Sequence, residues 1–350
     1  MGQGRAFCAW LLKMQYASTV VEFPELGLKF DVSRALFSIG NFTIHWYAIF
    51  IMTGILLAGL YAYKNSRRFG LDFDRVIDVV LGGMIGSVVC ARLYYVIFSL
   101  DEFISDPLSV FFIWKGGLAI YGAIIGAFTT GYFMCKWRKV PVLPMFDMAG
   151  IGFFIGQALG RWGNFFNVEA FGSNTELPWG MTSNLVTNYL RNNMDKLKDV
   201  GIVVRPDLPV HPTFLYESLW CVLGFVLLHF LSKKRRYDGQ IFLSYIGFYG
   251  LGRFFIEGFR SDSLMLGNLR ISQVIAGLAV LTTIIIMLTI RSKIKQEHNE
   301  NYLVLYANTP ECAQYFEDLE QKNKLKNELK NKLENTSDEG TNDNEIEDGE

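Results

Sequence analysis

The sequence is poor in the residues that metal and disulfide sites need. Its five cysteines are scattered and show no CxxC spacing; they are Cys8, Cys90, Cys135, Cys221 and Cys312. Its four histidines include no pair spaced four residues apart. These absences argue against a disulfide framework, a cysteine metal site and a membrane zinc peptidase. We therefore expect no metal and no other cofactor, and nucleic acid is not an expected partner.

Charge is also scarce. Charged residues make up 19% of the 350-residue chain, whereas hydrophobic residues make up 51%. A soluble protein of this length would be more polar. Seven apolar windows approach the roughly 20 residues that cross hydrocarbon. They run from Trp46 to Tyr63, Val76 to Phe98, Leu118 to Cys135, Phe146 to Leu159, Phe214 to Leu231, Ile241 to Ile256 and Ile271 to Ile290. The sequence thus predicts an all-α polytopic membrane protein with about seven spans. The fourth window is the shortest, which predicts a tilted or broken helix.

Basic residues in the short loops indicate the orientation. They follow the first, third, fifth and seventh windows as Lys64, Arg67, Arg68 and Arg75, then Lys136, Arg138 and Lys139, then Lys233 to Arg236, then Arg291, Lys293 and Lys295. By the positive-inside rule these places are cytoplasmic. The N-terminus and the loop region 161–212 then lie outside, and the C-terminus lies in the cytoplasm.

Residues 291–350 differ in character from the rest. Leu319, Leu325, Leu329 and Leu333 form a thin helical stripe, and an acidic, Asn-rich end follows. Such a composition cannot bury a core, so we predict a charged, largely disordered cytoplasmic tail. A partner-binding segment is the alternative interpretation. Residues 1–44 are expected to form an extracytoplasmic segment.

The most informative stretch, LGRWGNFFNVEAFG, directly follows the fourth window. It contains Arg161, Asn164, Asn167 and Glu169. An arginine at membrane depth costs roughly 2.5 to 3.5 kcal/mol on insertion scales, so it marks a substrate site, an ion path or a paired charge.

A second charged motif, GRFFIEGFR, spaces Arg253, Glu257 and Arg260 four and three residues apart. On a helix this spacing places all three on one side. Snorkelling of the two arginines to the membrane interface is the alternative.

Three further motifs are ambiguous. HPTFLYE places His211 before Tyr216 and Glu217 at the start of the fifth window. A direct catalytic role for these residues and a cap at the membrane interface both fit this position. In WKGGLAIYGAIIGA, the GxxxG of Gly122 and Gly126 argues for helix packing, and Tyr121 lies near the outer end. HWYA alone is typical of an interfacial aromatic belt, and Asp147 is expected to hold helices together through a donor.

Two arginine motifs at one membrane face favour a phosphate ligand. Guanidinium forks match phosphate oxygens, and preorganised cations would also stabilise a phosphate leaving group. The residues alone therefore indicate phospholipid handling without naming an acceptor. A transporter or channel would spread its charges through the membrane depth, and a scaffold would depend on its tail.

GRWGNFFNVEAFG resembles the signature of the bacterial phosphatidylglycerol:prolipoprotein diacylglyceryl transferases. HWYA, WKGGLAIYGA, HPTFLYE and GRFFIEGFR resemble that family's other blocks in the same order, from about Phe37 to Ile290. The resemblance implies a catalytic transmembrane domain at 45–290 in the bacterial plasma (inner) membrane, with its active site toward the extracytoplasmic face. It implies that the diacylglyceryl group of phosphatidylglycerol passes to the lipobox cysteine of a prolipoprotein signal peptide.

The resemblance also implies roles for individual residues. Arg161 and Arg253 would bind the phosphate, and Glu257 would orient the arginines. The expected catalytic residues are Arg161, Arg253, Tyr121 and Glu169. The expected substrate-binding residues are Arg161, Asn164, Asn167, Gly172, Tyr47, Tyr249, Glu257 and His211.

Two positions depart from the family pattern. Tyr121 stands where many members have histidine, and Phe214 where glutamine is common. Since a phenol pKa is near 10 and that of imidazole near 6.5, Tyr121 is a poor general base. We expect it to position substrate, while the arginines lower the pKa of the substrate thiol.

Overall fold

The computed structural model of the protein describes residues 18–39, 42–104, 106–199, 202–260, 265–266, 269–297 and 303–342. In chain order the helices are α1 (Trp46–Asn65), α2 (Phe73–Phe98), α3 (Leu100–Ile104), α4 (Ile120–Trp137), α5 (Val142–Asn167), α6 (Asn184–Asn192), α7 (Met194–Asp199), α8 (Thr213–Ser232), α9 (Gln240–Glu257), α10 (Ile271–Glu297) and α11 (Pro310–Asn342). The strands are β1 (Thr19–Phe23), β2 (Leu28–Val32), β3 (Ala35–Ile39), β4 (Phe42–His45), β5 (Thr182–Ser183), β6 (Met265–Leu266) and β7 (Leu269–Arg270).

Long apolar helices form the body of the protein. Among the described residues, five segments are long and apolar enough to cross a membrane: Trp46–Phe69, Phe73–Phe98, Val142–Asn167, Thr213–Ser232 and Ile271–Lys295. The shorter α4 packs against α2, and α9 packs against α5, α8 and α10. The protein is thus a helical, multi-pass membrane protein, as predicted, while the count of seven spans and the orientation stay predictions.

The pair α2 and α4 shows why the predicted GxxxG is needed. A Cβ atom on Gly122 would lie 2.5 Å from the carbonyl oxygen of Cys90, and one on Gly126 would lie 2.5 Å from that of Gly86. Any side chain at these positions would therefore separate the helices. The glycines serve helix packing, as the sequence predicts.

The helix α5 corrects the prediction for the fourth window. It is a continuous helix of 26 residues, neither short nor broken, and it includes Arg161 and Asn164. The polar residues do not end the helix because they find partners on neighbouring elements. The helix stops at Asn167, where Val168 takes a left-handed conformation with φ of 54°.

A small sheet covers the end of the bundle at which α5 stops. Strand β1 lies between β2 and β5, antiparallel to both, with Val21 opposite Phe30 and Ser183. Its inner side buries an apolar cluster that includes Val21, Phe165 and Phe214. We call the segments 18–32, 168–199 and 202–212 the sheet cap. The all-α prediction did not include it, because its strands are short and the pairing of β1 with β5 joins residues far apart in sequence.

The opposite end of the bundle carries a second correction. The predicted disorder of the tail does not fit residues 303–342, which form a 3-10 turn at Tyr306–Asn308 and then α11. The Tyr315 hydroxyl donates to Asp72 Oδ2 over 2.8 Å, and Cys312 is 2% exposed. Aromatic and cysteine side chains thus find a surface on the bundle. Residues 1–17 and 343–350 lie outside the described residues.

Candidate functional site

The carboxylate of Glu217 lies at the centre of a charged cluster where α5, α8 and α9 meet. Glu217 stands in the second turn of α8 and is 4% exposed. Arg161 Nη2 of α5 pairs with Glu217 Oε2. Arg253 Nη1 of α9 lies 2.9 Å from Glu217 Oε1, and Arg260 Nη1 lies 3.3 Å from the same oxygen. One buried carboxylate therefore fixes three guanidinium groups.

Glu257 adds a second buried carboxylate. It is 1% exposed, and its Oε2 atom lies 2.7 Å from Arg253 Nη2. Arg253 is thus held between two carboxylates, each through a different nitrogen. We call Arg161, Arg253, Arg260, Glu217 and Glu257 the arginine cluster. Its cations outnumber its carboxylates by one, and the arginine side chains keep between 13% and 21% of their surface exposed. The cluster can therefore receive an anion.

Arg260 reaches the cluster by a route that the sequence did not predict. The expectation of one helix side for Arg253, Glu257 and Arg260 is wrong for the last of them, since α9 ends at Glu257. The chain turns at Gly258, and Arg260 forms an antiparallel bridge with Gly172. Its side chain still points to Glu217. The turn lets a loop residue join two residues from helices.

Gly172 has a structural reason to be glycine. Its N–H donates to the His211 carbonyl over 2.8 Å, and the next amide, that of Ser173, donates to the Phe259 carbonyl over 2.6 Å. A Cβ atom on Gly172 would lie 2.7 Å from both His211 Cβ and the Phe259 oxygen. Three chain segments meet there with no room for a side chain, and this contact connects the arginine cluster to the sheet cap.

The asparagines and Glu169 form a second polar group beside Arg161. Asn164 Nδ2 and Asn167 Nδ2 donate to Glu169 Oε1 over 2.8 and 3.0 Å, and Arg161 Nη1 lies 3.4 Å from Asn164 Oδ1. The backbone bends back through left-handed conformations at Val168 and Ala170, with φ of 54° and 55°. A β-branched residue with positive φ is strained, and such strain often marks a functional site.

The predicted tyrosines differ in where they lie. Tyr47 packs its ring on Gly163, one half-turn after Arg161. Tyr249 stacks on Tyr245 with ring centroids 5.9 Å apart. Its phenol interacts electrostatically with Arg161, Glu217 and Arg253. Tyr121 is 45% exposed at the start of α4. None of the hydrogen bonds or ion pairs found among the described residues joins Tyr121 to the arginine cluster.

His211 lies on the sheet-cap side of the cluster. Its Nδ1 atom lies 3.1 Å from the Tyr216 hydroxyl oxygen, which accepts from Trp179 Nε1 over 2.7 Å. Burial lowers the pKa of His211 below its ordinary value of 6.5. The side chain is therefore neutral near pH 7. It also lines an open cavity of about 420 Å³ together with Glu176 and Arg205.

Sequence reasoning missed Glu217 and Arg260 as site residues. Both belong to motifs that the sequence analysis singled out, but Glu217 is 56 positions from Arg161, and only packing brings them together. Charge balance was the available signal. Arginines inside apolar helices require a counter-charge, and HPTFLYE supplies an acid at the same face.

The protein is thus a multi-pass membrane protein that holds three arginines around a buried carboxylate at one end of its helical bundle. The family model for prolipoprotein diacylglyceryl transferase matches residues 34–289. The chain belongs to the prolipoprotein diacylglyceryl transferase family.

Curated relatives agree with the family match. Several of them, including the three that follow, bear the name phosphatidylglycerol–prolipoprotein diacylglyceryl transferase. The one from Clostridium novyi (strain NT) is 41% identical over 261 residues, covering 75% of this chain and 96% of the relative. The one from Limosilactobacillus reuteri (strain DSM 20016) is 39% identical, covering 76% and 94%. The one from Clostridioides difficile (strain 630) is 38% identical, covering 77% and 100%. The whole arginine cluster lies inside the matched region, whereas α11 lies beyond it.

Proposed function

We propose that this protein transfers the diacylglyceryl group of phosphatidylglycerol to the lipobox cysteine of a prolipoprotein. The product is a thioether, and glycerol phosphate is released, which makes this the first step of lipoprotein maturation. The family match supports the reaction. We locate the reaction at the arginine cluster because the buried Glu217 holds Arg161, Arg253 and Arg260 around one point.

The arginine cluster binds the phosphate of the lipid. Each guanidinium presents a planar fork of donors that matches two phosphate oxygens. Glu217 and Glu257 hold Arg253 from two directions, so its remaining donors are already oriented before lipid arrives. Little ordering is then required upon binding. The acyl chains remain among the apolar helices that carry these residues.

The same arginines act on the leaving group. The cysteine sulfur attacks the glycerol carbon that bears the phosphate ester. A carbon–sulfur bond forms, the carbon–oxygen bond breaks, and its electron pair leaves with glycerol phosphate. The thiol proton passes to water or to the released phosphate. Negative charge grows on the ester oxygen as the bond breaks, and fixed cations in a poorly hydrated site stabilise it.

The nucleophile comes from the substrate, so the enzyme must favour its thiolate. A net positive cluster lowers the pKa of a nearby thiol, as cations do for reactive cysteines. Asn164, Asn167 and Glu169 shape the head-group site, because amide and carboxylate groups suit the hydroxyls of a glycerol. Tyr47 and Tyr249 line the site, and Tyr121 positions substrate without accepting the proton.

The membrane arrangement is part of the proposal. Residues 45–290 form the catalytic domain with seven spans in the bacterial plasma membrane. The sheet cap and the arginine cluster face the extracytoplasmic side with the N-terminus, where a lipobox cysteine emerges from the bilayer. The loops rich in arginine and lysine at the other end then face the cytoplasm, in agreement with the positive-inside rule.

A transfer assay tests the proposal. The purified full chain in liposomes receives phosphatidylglycerol with labelled acyl chains and a lipobox peptide, and the matched control is the same peptide with cysteine replaced by serine. We expect labelling of the cysteine peptide alone, together with release of glycerol phosphate. No labelling by a folded preparation that still binds phosphatidylglycerol would overturn the transferase proposal and favour lipid binding or transport.

A further inference from the structure

The C-terminal segment is a docked part of this protein although it lies outside the family match, which ends at residue 289. The Tyr315 hydroxyl donates to Asp72, and the Arg75 guanidinium lies 4.3 Å from the centre of the Tyr315 ring. Burial, followed by the hydrogen bond to Asp72, raises the pKa of Tyr315 to about 12, so the phenol stays neutral. The Tyr306 amide donates to Asp238 Oδ2 over 2.8 Å.

This docking surface lies at the end of the bundle opposite the arginine cluster. Trp46 at the start of α1 stacks on Phe166 near the end of α5, with centroids 4.8 Å apart. The turn that follows α1 at residues 66–72 is therefore at the other end. Cys312 packs on Gly70 of that turn, and Arg67 pairs with Glu320 over 3.4 Å. The first turns of α11 are thus fixed where α1 leaves the membrane and α2 enters it.

Beyond this anchor, α11 presents two neighbouring rows of side chains. Leu325 and Leu329 are 59% and 54% exposed. Leu333 follows in the sequence at the same spacing of four. Lys322, Lys326 and Lys330 each stand three residues before one of these leucines, which makes them direct neighbours on the helix surface. We call these the leucine row and the lysine row. From residue 321 to residue 333 the chain contains five lysines and one glutamate.

We propose that this face of α11 binds the anionic phospholipid surface of the membrane in which the bundle lies. An apolar row bordered by lysines is the pattern of helices that lie in a membrane interface. Lysines near an anionic lipid surface are attracted to it, and the leucines lose contact with water. The anchor at residues 66–75 sets the helix at the level of that surface. The stretch after residue 333 carries acids and no bases, so the bound segment ends there.

A second copy of the chain fits this face less well. A coiled coil needs an apolar seam sustained over three or four heptads. The leucine row spans two turns of helix. The adjoining seam positions, residues 322 and 332, are lysines, so the apolar seam does not continue. In two parallel copies the lysine rows would also lie close together, and their like charges would repel each other. Anionic lipid satisfies both rows at once.

Amide hydrogen exchange of the full chain in lipid nanodiscs tests the inference. One protein is placed in each disc, made either of phosphatidylcholine alone or with phosphatidylglycerol added. We expect exchange across residues 321–333 to slow in the anionic discs by about fivefold or more, the factor that one bound lysine contributes. High salt should reverse the slowing. Equal exchange in the two kinds of disc would overturn the inference.

Matched variants assign the effect to the two rows. Lys326→Glu should abolish the slowing, and Lys324→Glu, which makes the same charge change away from the leucine row, should leave it in place. Leu325→Ser with Leu329→Ser should also abolish it, unlike Asn323→Ser with Asn327→Ser. Equal effects within either pair would contradict the assignment, and slowing seen only with two proteins per disc would replace lipid by a second copy. Diacylglyceryl transfer measured in the same discs is expected to persist in every variant, so the two proposals fail separately.

Discussion

The two ends of the helical bundle both bury charged residues, but they treat them differently. In the arginine cluster, the carboxylate of Glu217 is shared among three arginines, and cations are in excess. At the other end, the carboxylate of Asp147 is 0% exposed and accepts from backbone amides of Gly239 and Phe242 over 2.8 and 2.9 Å. Asp147 therefore caps the start of α9 from the neighbouring helix α5.

The arginines at that end also contact other groups of the protein. Arg235 Nη2 donates to the Arg68 carbonyl over 3.0 Å, and the Arg235 guanidinium lies 4.3 Å from the centre of the Phe69 ring. Arg68 Nη2 donates to Ser232 Oγ over 2.7 Å. Backbone, hydroxyl, carboxylate and ring contacts within the protein thus hold these arginines and join the ends of helices.

The two ends thus differ in how the protein itself neutralises their charges. The Asp147 carboxylate is met by backbone amides, which fits a role in holding the fold. Guanidinium groups that share one carboxylate are oriented but incompletely neutralised, so an anion can still complete them. Five variants and one pH experiment test this contrast.

Glu217→Gln should have the largest effect. It leaves three arginines without their shared carboxylate in a largely buried place, so their orientation is lost and they repel one another. We expect turnover in the transfer assay to fall by about 100-fold or more, and stability to fall by about 3 kcal/mol. Glu176→Gln, at a carboxylate that is 88% exposed, is the control and should change neither. Near-normal turnover of Glu217→Gln would show that the shared carboxylate is not needed.

Arg161→Lys and Arg253→Lys should come next. Each keeps the charge but loses the planar fork, so phosphate is held at one point only. We expect turnover to fall by about tenfold to 100-fold, with thermal unfolding less affected. Arg191→Lys, at an arginine that is 62% exposed on α6, is the matched control. Wild-type turnover in both cluster variants would exclude a bidentate phosphate site.

Asp147→Asn should have the opposite pattern. Removing the charged cap of α9 costs about 1 kcal/mol or more, because a buried acceptor loses its charge-assisted bonds. The unfolding midpoint in detergent should fall, while turnover of the folded fraction at low temperature stays close to wild type. If turnover fell as far as in Arg161→Lys, the distinction between the two ends would be wrong.

Tyr121→Phe should have little effect. The residue is exposed and, among the described contacts, lies apart from the arginine cluster. We expect turnover within about threefold of wild type, since a phenol is a poor general base at neutral pH. Abolished transfer by a variant that still folds and binds phosphatidylglycerol would require a role for the hydroxyl.

The pH dependence of His211 should be the smallest effect. Its pKa is lowered in the folded protein by burial, so the unfolded chain binds a proton more readily as pH falls through 6.5. Stability should therefore decrease on acidification from about pH 7.5 to about pH 5.5, and less so in His211→Gln. The same decrease in both proteins, measured by thermal unfolding, would exclude His211 as its source.

The sequence predicted most of the long helices and both arginine motifs because each is local. A long apolar run predicts a membrane span, and a charged residue within that run indicates a site or a paired charge. What it missed depends on distant packing. Glu217 meets Arg161 only when α8 lies against α5, and Arg260 meets Glu217 only because the chain turns after α9. The unbroken α5 and the docked tail were missed for the same reason, since their partners lie on other elements.

The proposed function depends above all on recognition of the phosphate of phosphatidylglycerol by the arginine cluster. The most direct measurement is a titration by native mass spectrometry of phosphatidylglycerol against diacylglycerol with the same acyl chains, on the wild type, Arg161→Lys and Arg68→Lys. We expect phosphatidylglycerol to bind more tightly than diacylglycerol, with the difference reduced in Arg161→Lys and retained in Arg68→Lys. Equal affinity for the two lipids in the wild type, or an unchanged difference in Arg161→Lys, would contradict the claim.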